Sequence, residues 1–138
     1  MDDTLETAWS EWKLVKDFQW SWFVTATFPL PTSRDCASKK WSLVCNELAK
    51  DVLPARQARR KGLPWLRAVE QTNDSHHIHA VVSGVSADAI RAKWKELVSS
   101  GANIQIKPYD PKLCGIAYLV KESDVEFSRY FTIGLLPT

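Results

Sequence analysis

The chain has 138 residues, enough for one domain with a proper core. Hydrophobic residues at 45% and charged residues at 25% fit an ordinary soluble globular protein, and no apolar run approaches the roughly 20 residues of a membrane span. The net charge is only +2 but unevenly spread: residues 1–17 hold Asp2, Asp3, Glu6, Glu11 and Asp17 against Lys13 and Lys16, whereas residues 50–67 hold Lys50, Arg56, Arg59, Arg60, Lys61 and Arg67 against Asp51.

Such a basic segment is compatible with a phosphate backbone as partner, and also with a solvated helix end. The start, Met1-Asp2-Asp3, lacks the basic and apolar regions of a signal peptide. Three cysteines, Cys36, Cys45 and Cys114, are odd in number and never spaced as CxxC, which suits free thiols in a cytoplasmic protein.

Residues 4–18 place Leu5, Ala8, Trp9, Trp12 and Val15 at helical spacing. Trp20 to Phe28 alternates, with Trp22, Val24, Ala26 and Phe28 on one side and Ser21, Phe23, Thr25 and Thr27 on the other, as in a strand packed on one face. Pro29 and Pro31 stop it. Thr32 or Ser33 caps a helix whose Ala37, Trp41, Val44, Cys45, Leu48 and Val52 recur at three and four, and Pro54 weakens or ends it. The basic stretch to Gly62 reads as a short helix or a mobile loop.

Leu66 to Gln71 and His76 to Val82 form two strand-like runs around the turn-forming cluster Thr72-Asn73-Asp74-Ser75. A two-residue loop, Asn73-Asp74, or a four-residue one gives the same pairing: Gln71 with His76, Glu70 with His77, Ala68 with His79. Alternate residues of a strand share a face, so His77 and His79 project together with Glu70 beside them, while His76 points away. Two imidazoles and a carboxylate make a divalent-metal site with open positions. A slip of one residue would replace Glu70 by Gln71 on that face.

Ser86 caps a further helix, with Ile90, Trp94, Leu97 and Val98 on one stripe and Gly101 past its end. Asn103 to Lys107 alternates, Ile104 and Ile106 inward and Gln105 and Lys107 outward. Leu113 to Glu122 reads as a helix, and Glu126 to Leu136 as a last strand or packed tail. The order predicts an α+β, ferredoxin/RRM-like fold: an antiparallel sheet of four to five strands in a β-α-β-β-α-β core, helices on one face, in a single domain over residues 1–138 with its core at 20–125. The packed face takes Trp22, Val24, Val69, Ile78, Val82, Ile104, Trp41 and Trp94. The open face keeps Thr25, Thr27, Glu70, His77, His79, Gln105 and Lys107.

Tyr118 and Lys121, three apart on the helix over Leu113–Glu122, supply what the hairpin lacks. A phenol is a poor nucleophile at its ordinary pKa of about 10. Beside a divalent cation and a lysine its phenolate becomes accessible and can attack a phosphodiester. Magnesium or manganese suits this work, and imidazole ligands favour manganese.

These residues meet a known pattern. His77-Ile78-His79 resembles the HUH motif, Tyr118-Leu119-Val120-Lys121 the YxxK motif that follows it, and Trp22-Phe23-Val24-Thr25-Ala26-Thr27-Phe28 the upstream FxTxTF-like motif. Their order is that of the HUH endonuclease superfamily, in particular the single-tyrosine Rep nuclease domains of rolling-circle plasmids and circular single-stranded DNA viruses. The resemblance covers about residues 20–125 and implies a metal-dependent, sequence-specific single-stranded DNA nickase and joining enzyme that initiates rolling-circle replication. Glu70, His77 and His79 would hold the metal. Tyr118 would cut the strand and keep its 5′ end as a phosphotyrosine, with Lys121 orienting the tyrosine or stabilising charge.

The implied partner is single-stranded DNA at a replication origin, with an adjacent duplex or hairpin gripped by Arg56, Arg59, Arg60 and Lys61. Thr25, Thr27, Gln105 and Lys107 would meet the single strand, and Phe23 would stack on bases. No GxxxxGK[ST] motif occurs, so a helicase would come in trans or from a further domain. The implied location is the cytoplasm, or the nucleus for a eukaryotic virus. Two other readings share the topology: a non-catalytic RRM-like binder of single-stranded nucleic acid, and an HUH transposase or mobilisation nickase.

Overall fold

The computed structural model describes residues 18–113, 119, 121 and 124–132. Within them the elements run β1 (Trp22–Ala26), α1 (Arg34–Val52), α2 (Ala55–Arg60), β2 (Trp65–Thr72), β3 (Ser75–Val82), α3 (Ala87–Leu97), β4 (Ile104–Pro108), β5 (Val125–Phe127) and α4 (Arg129–Thr132). The fold is α+β. One five-stranded antiparallel sheet has the order β4-β1-β3-β2-β5. The expected helix over residues 4–18 lies outside the described residues, except Phe18, which sits in a bend.

The helices begin where the capping chemistry places them. Ser33 accepts a hydrogen bond from the Cys36 amide, and Ser86 one from the Ala89 amide, satisfying donors that the first turn leaves without helical partners. Pro54 forces α1 to stop at Leu53 and starts α2, so the basic stretch is a helix. Both long helices lie on one face of the sheet. Trp41 and Trp94 are buried there with Val24, Ile78, Val82 and Ile90, with ring centroids 6.4 Å apart. Lys93 donates to Asp51, tying α3 to α1, and this bond raises the lysine pKa. Burial in the same core pushes the Cys45 thiol well up, so it stays protonated and inert.

The opposite face departs from expectation. Rather than open, it is divided. Towards the start of β2 and the end of β3 it carries a second apolar cluster: Leu66, Ala68 and Val81 with Trp20, Leu119 and Phe131, flanked by Phe18, Phe23, Val125, Phe127 and Tyr130. Towards the β2–β3 turn it becomes polar with His77, His79, Glu70 and Thr25. Phe23 alternates with Val24 as expected, but its ring is half-buried in this cluster. Among the described residues the expected tail is a strand at Val125–Phe127 and then a helical turn at Arg129–Thr132, and residues 133–136 of it lie outside them. The expected helix over Leu113–Glu122 is preceded by a 3-10 turn at Pro111–Leu113. Within it the described Leu119 is helical and fully buried, Lys121 lies in an exposed turn, and the remainder lies outside the described residues.

Arg67 corrects the picture of a solvated basic segment. It lies on the helix-covered face, 3% exposed. Its guanidinium donates to the carbonyl and carboxylate of Asp124 at 3.0 and 3.1 Å, to Ser38 Oγ at 2.9 Å, and to the Glu126 carboxylate. Arg34 approaches Asp124 at 3.6 Å from α1. The fork of a guanidinium thus ties β2, α1 and β5 together.

Candidate metal centre

The β2–β3 hairpin closes on the two-residue loop Asn73-Asp74, and Asn73 takes φ 54°, a left-handed conformation that asparagine tolerates better than most residues. The pairing is Thr72 with Ser75, Gln71 with His76, Glu70 with His77 and Ala68 with His79, the register expected from the turn cluster. Glu70, and not Gln71, therefore shares a face with both histidines.

The three donors converge. Glu70 Oε2 lies 2.8 Å from His79 Nε2 and 3.4 Å from His77 Nε2, and the two Nε2 atoms are 2.9 Å apart. The carboxylate sits closer to the diagonal histidine than to the one directly opposite; diagonal neighbours across a pair are within reach of a long side chain. On β2 the residue opposite His79 is Ala68, whose methyl leaves room for the carboxylate to lean across. The rings meet nearly edge to face, 4.7 Å between centroids at 79°.

These residues are close enough to hold a metal ion. Ligands bound cis at about 2.1 Å around one octahedral cation stand about 3 Å apart, which matches the observed spacings. The histidine side chains are 17% and 13% exposed and the carboxylate 30%, so the donors are ordered by packing yet reachable from solvent.

Both rings are held from behind. His77 Nδ1 is 2.9 Å from Thr72 Oγ1, and His79 Nδ1 is 3.3 Å from Thr25 Oγ1. When Nε2 ligates a metal, Nδ1 carries the proton and the threonine oxygen accepts it, which fixes tautomer and ring angle. The sequence gives a faint cue for Thr72, two residues beyond Glu70 on its face. Thr25 becomes a partner only through the pairing of β1 with β3, Thr25 opposite His79. His76 points to the other face and donates to the Thr32 carbonyl at 2.8 Å, a structural tie between the hairpin and the start of α1.

The other candidates fall into groups. Gln105 pairs with Thr25 on the far side of β1, so it lies in the row of His79 two strands away, about 10 Å at the usual strand spacing. Gln105 and Lys107 are exposed on edge strand β4. Thr25 and Thr27 are half-buried: Thr25 Oγ1 is 3.3 Å from His79 Nδ1, and Thr27 donates to the Asn103 carbonyl at 2.9 Å. Arg56, Arg59, Arg60 and Lys61 are exposed at the opposite end of the sheet, beside the start of β2, and do not converge on the metal centre. Lys121 is exposed, and Tyr118 lies outside the described residues.

No family model matches the chain, and no curated protein or solved structure matches it significantly. Among the described residues no helix is long and apolar enough to cross a membrane.

Proposed function

We propose that the protein is an HUH-type DNA nicking and joining enzyme of ferredoxin/RRM-like fold, and that Tyr118 is its nucleophile. The observation that carries this reading is the convergence of Glu70, His77 and His79 within 3.4 Å on one sheet face. The strand order β4-β1-β3-β2 with two long helices on one face supports the fold assignment. Leu119, the residue after Tyr118, is buried with Leu66, Ala68 and Val81 on the face that carries the histidines, which supports a tyrosine working near them.

Glu70, His77 and His79 would hold the cation, with Thr25 and Thr72 orienting the rings. A donor set of two imidazoles and one carboxylate suits manganese, with magnesium as the alternative. When bound, the cation supplies charge to polarise the scissile phosphate and offset the charge that develops on it. Tyr118 attacks phosphorus as its phenolate; the bond from phosphorus to the leaving 3′ oxygen breaks, leaving a 5′-phosphotyrosine and a free 3′-hydroxyl. Attack of that hydroxyl on the phosphotyrosine rejoins the strand. Lys121 stabilises the phenolate or the phosphate. Gln105 and Lys107 on β4 meet the single strand at an origin of rolling-circle replication.

The alternative of a non-catalytic RRM-like binder needs aromatic rings free on this sheet face. Phe23 is half-buried instead, and the apolar half of the face is filled by Leu119 and Phe131. A mobilisation nickase would use the same residues. The test mixes labelled single-stranded oligonucleotides with protein and manganese and separates products on a denaturing gel. A covalent adduct is expected from the wild type, none from Tyr118→Phe, and none from His79→Ala, which retains DNA binding. Binding without cleavage across many sequences and metals would sink the reading.

A further inference from the structure

Five consecutive residues of β2, Leu66 to Glu70, serve two parts of the molecule. Glu70 belongs to the metal centre. The four before it hold the chain on either side of Lys121. Leu66 and Ala68, on the face of the histidines, are clustered with the fully buried Leu119. Arg67 and Val69, which alternate with them, hold Asp124. The Val69 amide donates to the Asp124 carbonyl at 3.0 Å. Arg67 Nη1 donates to the same carbonyl at 3.0 Å and to the Asp124 carboxylate at 3.1 Å. Arg67 Nη2 is fixed in turn by Ser38 on α1, at 2.9 Å, and by Glu126 on β5. The guanidinium is planar, so these bonds set its orientation as well as its place.

We infer that Arg67 is a positioning residue for the nucleophile: by fixing Asp124 it sets where the chain that carries Tyr118 and Lys121 lies relative to Glu70, His77 and His79. The inference rests on the nicking reading for the role of Tyr118. Leu119 follows Tyr118 directly, so their Cα atoms are about 3.8 Å apart. Ala68, in the cluster with Leu119, is paired with His79 and stands about 7 Å along β2 from Glu70. Burial of Leu119 therefore brings its neighbour towards the metal donors. Apolar burial is non-directional, so it sets depth and leaves angle open. The bonds to Asp124, three residues past Lys121, are directional and supply the second fixed point. Both points are referred to the strand that carries Glu70. Arg67 acts only through Asp124, yet a misplacement of about 1 Å can cost on the order of 100-fold in rate. Lysine keeps the charge but loses the fork, and its three donors cannot meet the four acceptors of Arg67 in one geometry.

The test reads the place of Tyr118 without DNA. Protein labelled with 3-fluorotyrosine is observed by fluorine NMR with manganese and, as the diamagnetic control, with magnesium. The signal missing from Tyr118→Phe belongs to Tyr118. Paramagnetic broadening falls steeply with distance, so manganese should broaden this signal in the wild type, and Arg67→Lys should lose at least half of the broadening. Asp124→Ala, at a partly exposed position, approaches the contact from the other side and should lose broadening in the same direction. With a labelled single strand at saturating manganese, the single-turnover rate of adduct formation should fall at least tenfold in Arg67→Lys, while affinity for the strand and for manganese keeps its wild-type value. Ile90→Val shortens a buried side chain on α3, away from Asp124, and should keep both broadening and rate, which separates positioning from loss of stability. A Tyr118 signal that manganese does not broaden, a broadening or a rate that Arg67→Lys leaves unchanged, or an equal loss in Ile90→Val would each overturn the inference. A wild type that forms no adduct on any oligonucleotide would sink the nicking reading, and the broadening alone would then decide whether Arg67 places Tyr118.

Discussion

Strand β2 carries two ionic clusters three residues apart, on opposite faces of one sheet. Arg67 on the helix side meets Asp124 and Glu126, with Arg34 completing two cations against two carboxylates. Glu70 on the other side meets His77 and His79, and no cationic side chain joins the three in the contacts of this face. In the first cluster the charges balance and every partner belongs to the chain, so it acts as a clamp. In the second, three electron-pair donors crowd within 3.4 Å. Such spacings suit either a proton shared among the three or one cation bound by all of them. A guanidinium supplied by the chain marks the first cluster as structural; the second is close enough to hold a metal ion.

That contrast can be broken from either side. Removing Arg67 deletes a buried guanidinium that donates to two partly exposed carboxylates; hydrogen bonds to charged groups contribute about 2 kcal/mol. Arg67→Ala should lower the urea midpoint accordingly with an unchanged denaturant slope, and manganese should leave the difference in place. A loss below half of this would mean that the clamp is ornamental to the fold.

The metal cluster should respond the other way. At a hundredfold excess over its dissociation constant, a ligand specific to the folded state adds about 2.7 kcal/mol. Manganese should therefore raise the melting temperature of the wild type by several degrees and leave Glu70→Gln/His79→Ala unmoved. Equal stabilisation of both proteins would place the cation elsewhere.

The smallest effect sharpens the comparison. Thr72→Val keeps the shape of the side chain but removes the oxygen behind His77. Loss of such an outer partner weakens metal affinity about tenfold. Calorimetric titration should show this loss; affinity equal to wild type would mean that packing alone fixes the ring.

The hairpin was legible because its cues are local: the alternation on both strands, and a turn cluster whose Asn73 accepts a positive φ. Those cues set the register and so named Glu70. The cap at Ser33 and the stop at Pro54 were local as well. What escaped depended on distant chain. Arg67 reads as one more cation of a basic run because its carboxylates are 57 and 59 residues onward. Thr25 meets His79 across 54 residues. The division of the second sheet face was hidden for a different reason: Phe23 and Val81 are each the one apolar residue on that face of their strands, Leu66 has only Ala68 beside it, and they become a core when Trp20, Leu119 and Phe131 cover them.

The three candidate metal donors fall between positions 70 and 79, on two strands joined by a two-residue loop. Contacts so close in sequence cost little loop-closure entropy, and a hairpin zips within about 1–10 μs. The hairpin alone therefore brings the trio together, without a pairing to β1 or β4. A cation captured at that stage would bias the nascent chain toward the native strand register. Only the later arrival of Thr25 would then lock the second ring, making the finished centre a reporter of the finished fold.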